Sequence, residues 1–240
     1  MLQAHLADRA GCSLSITTLT RLIDDAGFVW CRPKLALKQD DPLAEQRARA
    51  IAEAIAEHPM APRLFEDECE MHQVPVIRGQ YQKRMEQRTI ATPGNSCRQP
   101  IFGFLNTLTG QWHYWMPQRK RSVEFVACLH ELHQVYTEGP ILLFLDNASI
   151  HKSKLTLRWL ENHPRFIVRY LPAYSGHQTN PVEKIWWALK NDCAANRMYE
   201  CRHAIQDAIA GHFAWMKPEH FIKLTNRTKP NSNKPVRVAI

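Results

Sequence analysis

Two hydrophobic patterns alternate along the chain. Five consecutive apolar residues, 141–145, end in Asp146, and such a short run is typical of a strand buried on both faces. Further strands are predicted from Leu64 through Asp67 and at 73–78, 101–108, 112–116 and 166–171, with a hairpin turn at Thr109-Gly110. Apolar residues at helical spacing predict helices at 41–57, 123–137, 152–162, 181–192 and 200–215.

The order of these elements predicts an α/β fold. A run of strands comes first, and helices then alternate with strands, which indicates a mixed sheet with helices packed on it. The apolar fraction of 45% is sufficient for a core. We expect a first unit at 1–40, a linker helix within 41–60, a main domain at 61–216 and a flexible basic tail at 217–240.

The first unit has the pattern of a helix-turn-helix. A short helix is predicted to end at Gly11, and a second begins after Ser15 and stops at Gly27. Residues that lie off the apolar stripe or follow the helix are candidates to contact DNA, namely Thr17, Thr18, Arg21, Arg32 and Lys34. The alternative is a plain helical hairpin with a solvated basic edge.

Composition favours a polyanionic partner. The formal net charge is +8 and the isoelectric point is about 9.2, so nucleic acid is the first candidate. Seven cysteines at irregular spacings, with no C-x-x-C pair, favour reduced thiols in the cytoplasm over disulfides or a zinc site. No apolar run is long enough for a membrane span.

Three acids follow or begin predicted elements. Asp67 lies at the end of a strand, Asp146 ends the buried strand, and Glu183 lies in the first turn of a helix. Carboxylates brought together in this way bind Mg²⁺, and a pair of ions can serve in-line displacement at phosphorus. Each acid also has a local alternative: a solvated strand end for Asp67, turn chemistry for Asp146, and a capping box for Glu183.

Two longer motifs resemble a known family. Leu-Asp-Asn-Ala-Ser-Ile-His at 145–151 and Leu-Pro-Ala-Tyr-Ser-Gly-His-Gln-Thr-Asn-Pro-Val-Glu-Lys-Ile-Trp at 171–186 resemble the DDE transposases of the mariner superfamily, particularly the bacterial insertion-sequence branch. Phe-Glu-Asp-Glu at 65–68 fits the first acidic motif of that family. The 36 residues between Asp146 and Glu183 match its usual interval.

The resemblance implies an RNase H-like catalytic core, with Asp67, Asp146 and Glu183 as catalytic metal ligands. It implies Mg²⁺, with Mn²⁺ as a substitute, and supporting roles for Asn147, His151 and Asn180. From the residues alone, His151 could orient a catalytic group, touch a phosphate, or simply begin a helix.

The implied activity is cleavage of double-stranded DNA at the element's terminal repeats, followed by attack of the freed 3′-hydroxyl on target DNA. We expect a homodimer or larger assembly that works without a membrane, in the bacterial cytoplasm at the nucleoid.

The chain departs from the family pattern in two places. Gly176 follows Ser175 where family members usually have proline. The upstream helix-turn-helix unit of the family is not seen, so we expect either a truncated copy or a product that needs sequence read from a neighbouring frame. The alternatives to a transposase are a non-catalytic DNA-binding remnant acting as a repressor, or a nuclease of the same fold that only hydrolyses.

Overall fold

The chain forms two compact units, one of residues 1–38 with 228–240 and the other of residues 39–227. The computed structural model describes residues 6, 8–9, 11–29, 41–90, 92, 96–173 and 179–226. All structural statements below concern these residues.

The described part of the small unit contains one complete helix, α1 (Ile16–Asp25). The helix begins where predicted, because the Ser15 hydroxyl accepts the N–H of Thr18 at 3.1 Å. No residue of α1 is buried within the described structure, and Ile16 is 69% exposed. Most of the predicted preceding helix lies outside the described residues, so the helix-turn-helix remains a prediction.

The large unit follows the predicted order of elements closely. Its elements are α2 (Ala44–Glu57), β1 (Arg63–His72), β2 (Arg98–Asn106), β3 (Trp112–Trp115), α3 (Ser122–Val135), β4 (Ile141–Leu145), α4 (Lys154–Glu161), β5 (Phe166–Tyr170), α5 (Val182–Leu189) with a π-helical turn (Lys190–Ala194), α6 (Arg202–Ala214) and α7 (Pro218–Asn226).

Five strands form one mixed sheet in the order β3-β2-β1-β4-β5. β1, β2 and β3 pair antiparallel, whereas β4 lies parallel to both β1 and β5. The predicted α/β fold with a mixed sheet is therefore confirmed. The parallel pairing of β1 with β4 stops at Phe65 and Phe144, so β1 continues past the end of its neighbour.

The two sheet faces are covered by different helices. Ile141, Leu143 and Leu145 point to the face that α3 and α4 cover. Leu142 and Phe144 alternate to the other face and meet α2. On that second face, α5, α6 and α7 cover β1 and β2 through a cluster that includes Ile185, Trp186, Ile209 and Phe221. This double cover explains why the run 141–145 is entirely apolar.

Two predicted segments differ from the structure. Pro218–Asn226 lies in the predicted flexible tail but forms helix α7, because Phe221 is buried against Trp112 and Phe213. The strand predicted at 73–78 is reduced to one bridge between Val76 and Ala195. Within the described residues, no helix has the length and hydrophobicity needed to cross a membrane.

Gly103 lies opposite Asp67 in the β1–β2 pair and is covered by two tryptophan side chains. A Cβ at this position would lie 2.6 Å from the Trp186 ring and nearer still to Trp112. We predict that Gly103→Ala lowers the free energy of unfolding by about 1–3 kcal/mol, because overpacking forces these rings to move. Urea or thermal unfolding measures this.

The matched control is Gly211→Ala in α6, where an added Cβ meets nothing within 4 Å. Because alanine has a higher helix propensity than glycine, we expect the free energy of unfolding of this variant to equal that of the wild type or to exceed it by up to about 1 kcal/mol. Equal stability of Gly103→Ala and the wild type would contradict the packing argument.

Candidate active site

The three predicted acids come together at one cleft. Asp67 lies on β1 beyond the end of β4, Asp146 directly follows β4, and Glu183 lies in the first turn of α5. The cleft has a volume of about 370 Å³, and its lining consists of Asp67, Asp146, Asn147, Leu171, Pro172, Ala173, Asn180 and Glu183. The strand–strand–helix order predicted from the sequence therefore produces a shared site.

Negative charge is concentrated in this cleft. Carboxylate oxygens of Asp67, Glu68 and Asp146 lie within 4.8 Å of one another. Burial raises the pKa of Asp67 to about 7, and the neighbouring carboxylates of Glu68, Glu183 and Asp146 add to the increase. This arrangement of oxygen donors is suited to a hard divalent cation, whose charge would relieve the repulsion.

Asn180 connects Glu183 to the strand that carries Asp67. Its buried side-chain amide donates to the Glu66 carbonyl at 2.7 Å, and its Oδ1 accepts the N–H of Val182 at 3.1 Å. One side chain thus ties the start of α5 to β1. Glu183 occupies a helix-initiating position and lines the cleft, so the local and functional interpretations are compatible.

Asp146 and Asn147 also combine a turn with a position in the cleft. The N–H of Ala148 donates to Asp146 Oδ1 at 2.8 Å. Asn147 donates to the Leu171 carbonyl at 3.0 Å and accepts from Lys152 at 2.7 Å. These contacts join the ends of β4 and β5, which places both residues on the rim of the same cleft.

His151 lies behind the cleft and is fully buried. Its Nδ1 is 2.9 Å from Asp146 Oδ1, and its Nε2 is 3.1 Å from Glu66 Oε2 and 3.8 Å from Glu68 Oε1. Although burial acts in the opposite direction, Glu66 and Asp146 raise the pKa of His151. Of the roles predicted for it, the structure favours the orientation of another group, since His151 contacts Asp146 directly.

Sequence reasoning missed the functional position of two acids. Glu66 is fully buried, and only 5% of the Glu68 side chain is exposed, although both belong to a stretch for which a solvated strand end was the alternative. Because side chains alternate along a strand, Glu66 and Glu68 point to one face of β1 and Asp67 to the other, and the sequence alone could have suggested this. Only the packing of α3 and His151 shows that the face with Glu66 and Glu68 is covered.

The remaining predicted residues belong to the small unit, and some of them fall outside the described structure. Thr17 and Arg21 are exposed on α1, whereas Thr18 is half-buried and its hydroxyl contacts Ser15 at 2.8 Å. Arg32 and Lys34, together with the altered loop at Gly176, fall outside the described residues. The DNA-binding assignments therefore stay predictions.

Comparison with known proteins shows the family. Residues 62–206 match the model of the family described as DDE superfamily endonuclease. An uncharacterized 39 kDa protein of insertion element IS630 from Shigella sonnei is 34% identical over 201 residues, which are 82% of this chain and 57% of the relative. The chain thus spans little more than half the length of that relative.

Solved structures share the fold at low identity. The Mos1 transposase paired-end complex with the left transposon end aligns with a TM-score of 0.69 and 14% identity, over 94% of this chain and 70% of that one. A pre-cleavage Mos1 transpososome aligns with a TM-score of 0.70 over the same shares of the two chains, again at 14% identity.

The catalytic domain of Mos1 mariner transposase alone gives a TM-score of 0.54 and 13% identity, over 82% of this chain and 91% of that one. The RNase H-like fold implied by the sequence motifs is confirmed by these matches. The family match and the 34% identity to the protein of insertion element IS630 show that the chain belongs to the DDE superfamily endonucleases.

Proposed function

We propose that the chain catalyses metal-dependent cleavage of double-stranded DNA at the ends of its element and transfer of the cut strand into target DNA. The observation that carries the proposal is the convergence of Asp67, Asp146 and Glu183, from two strands and a helix, on one cleft. The membership of the chain in the DDE superfamily endonucleases and its relative from an insertion element support the same activity.

We propose that Asp67, Asp146 and Glu183 hold Mg²⁺, for which Mn²⁺ can substitute. The donor set fits, because these carboxylates supply only oxygen, and because burial and then the neighbouring carboxylates raise the pKa of Asp67, which a bound cation would offset. Structures of Mos1 paired-end complexes with Mg and with Mn offer a parallel in that protein. Bound divalent ions would supply Lewis-acid activation of a water or a 3′-hydroxyl and stabilise the leaving oxygen.

The residues of the chain then have distinct tasks. The acids bind the cations, and Asn180 keeps α5, and with it Glu183, against β1. Exposed Lys120 interacts electrostatically with Asp146 and Glu68, and exposed Lys152 contacts Asn147 on the rim. Ammonium groups beside the cleft are suited to holding the phosphates that flank the cut bond.

The proposed partners are the terminal repeats of the element and the target DNA, with the small unit contributing to end recognition through Thr17, Thr18, Arg21, Arg32 and Lys34. Joining two element ends requires two active sites, so we propose a homodimer or larger assembly. The matched Mos1 structures include a paired-end complex and a strand-transfer complex of that protein. With DNA as its substrate, we propose action at the bacterial nucleoid.

The test of this function is cleavage and joining by the full chain on a plasmid that carries its coding region with the flanking DNA. We predict that Asp67→Asn, Asp146→Asn or Glu183→Gln abolishes both products, because each removes a ligand charge while nearly preserving side-chain shape. Chelation of divalent ions with EDTA is expected to abolish both products as well. Gel analysis separates cut ends from joined products.

The matched control is Glu70→Gln, which removes a charge from the same strand at a solvent-side ion pair with Arg98. It should leave both products unchanged. Cleavage that persists in Asp146→Asn would reject the site, and cleavage without joining would show a hydrolysis-only nuclease. DNA binding without cleavage in the wild type would show a repressor-like remnant.

A second prediction concerns the exposed Arg21 on α1. If it contacts a phosphate, Arg21→Ala should weaken binding to element-end DNA and reduce the slope of log affinity against log salt concentration by about 1. Fluorescence anisotropy over a series of salt concentrations measures the slope.

The control is Arg158→Ala, an equal loss of charge at an exposed position on α4. This control should keep the wild-type slope. An unchanged slope in Arg21→Ala would remove α1 from the proposed DNA-binding surface.

A further inference from the structure

Glu66 is a buried carboxylate that does not line the cleft. It neighbours Asp67 on β1, but strand alternation turns it to the opposite face, with Leu64 and toward α3. Its side chain is 0% exposed, and neither carboxylate oxygen accepts a hydrogen bond within the described structure. Burying a carboxyl group without a hydrogen-bond partner is costly, so a polar group placed beside it has a structural reason to be there.

The polar group beside Glu66 is the imidazole of His151. Its Nε2 lies 3.1 Å from Glu66 Oε2, and its ring packs against Phe125 with the ring centroids 4.6 Å apart. The Nε2 atom makes no aligned hydrogen bond within the described residues, so Glu66 is the near polar neighbour of this nitrogen. The ring is therefore held between Phe125 on one side and the Glu66 carboxyl group on the other.

The second nitrogen of His151 reaches the catalytic side. Its Nδ1 lies 2.9 Å from Asp146 Oδ1, the same oxygen that accepts the N–H of Ala148. Two contacts on one oxygen restrict rotation of the carboxylate about its Cβ–Cγ bond. This restriction matters because the Asp146 side chain is 45% exposed and lies just past the end of β4, where the strand no longer constrains it.

We propose that Glu66 is a positioning residue for metal binding, which acts through His151 to hold the Asp146 carboxylate in its ligating orientation. The inference rests on the proposed metal-dependent function and adds a residue that contacts neither substrate nor metal. Groups behind a ligand commonly change metal affinity by about 10–100-fold. The contacts Glu66–His151 and His151–Asp146 connect the α3 face of β1 to the cleft beyond the end of β4.

A competing explanation is that Glu66 only adds negative charge near the metal. In that case its effect is independent of His151, and the effects of substitutions at the two positions add. If Glu66 acts through His151, a substitution of Glu66 no longer affects the orientation of Asp146 once the imidazole has been removed. A double-mutant cycle separates these two explanations.

The first measurement is Mn²⁺ binding to the full chain without DNA, by electron paramagnetic resonance of the free ion. We expect Glu66→Gln, which keeps the side-chain shape and removes the charge, to weaken Mn²⁺ binding about tenfold or more. The Mn²⁺ concentration for half-maximal cleavage should rise by the same factor, while the rate at saturating Mn²⁺ returns to the wild-type value. Glu70→Gln is the control and should match the wild type in both measurements.

The second measurement repeats Glu66→Gln in a His151→Asn background. Asparagine places its side-chain amide near the position of Nδ1, so it retains a donor for Asp146 and removes the link to Glu66. We expect His151→Asn to weaken Mn²⁺ binding and Glu66→Gln to cause no further loss in that background. Circular dichroism and thermal unfolding confirm that each variant is folded.

The outcomes separate the inference from the function on which it rests. Failure of the wild type to bind Mn²⁺, or binding that survives Asp146→Asn, would overturn the proposed metal site itself. Wild-type binding that is unchanged in Glu66→Gln, or an equal loss in both backgrounds, would overturn only the role of Glu66. Loss of a whole bound ion per chain in Glu66→Gln would make Glu66 a ligand and would also overturn the positioning role.

Discussion

Electrostatic repulsion between carboxylates at one edge of the sheet is the constraint on which the site depends. Glu66, Asp67 and Glu68 lie where β1 has run past its pairing with β4, and Asp146 follows the last residue of β4. Burial, with the neighbouring carboxylates adding to it, raises the pKa of Asp67 to about 7. Such a cluster is stable only when positive charge lies nearby, and the two faces of β1 receive it differently.

On the face covered by α3, the positive charge belongs to the protein, as His151 between Glu66 and Asp146. On the face covered by α5, the oxygen donors of Asp67, Asp146 and Glu183 line an open cleft, which is where we propose the divalent ions bind. Asp146 takes part on both sides. Because successive side chains of a strand point to opposite faces, Glu66 of β1 faces His151, whereas Asp67 faces the cleft where we propose that the ions bind.

The rest of the fold maintains this geometry. Gly103 lies opposite Asp67 and leaves the space that Trp186 of α5 occupies, so the helix that carries Glu183 can approach β1 closely. Asn180 then ties the start of that helix to the backbone of Glu66. Local structure and proposed function coexist here, because Glu183 begins a helix and Asp146 shapes a turn while both line the cleft.

The sequence by itself determined most of the segments that become strands and helices, because hydrophobic periodicity reflects the faces that an element buries. It also determined that Asp146 follows a strand and that Glu183 lies in the first turn of a helix, and its motifs indicated the family. The predicted strand end at Asp67 is wrong, because β1 continues to His72 and Asp67 lies in its middle. Tertiary structure decided what covers each residue, which no local pattern contains. Trp186 and Trp187 are adjacent and chemically identical, yet Trp186 is buried and Trp187 is 61% exposed.

Glu66 shows the same limit. A solvated strand end was the alternative for its acidic stretch, but Glu66 is buried beside His151, which lies 85 residues later in the chain. Helix α7 forms because Phe221 packs against Trp112 of β3, which is distant in the sequence. Burial and charge pairing depend on partners distant in sequence, so they are set only when the sheet and its helices come together.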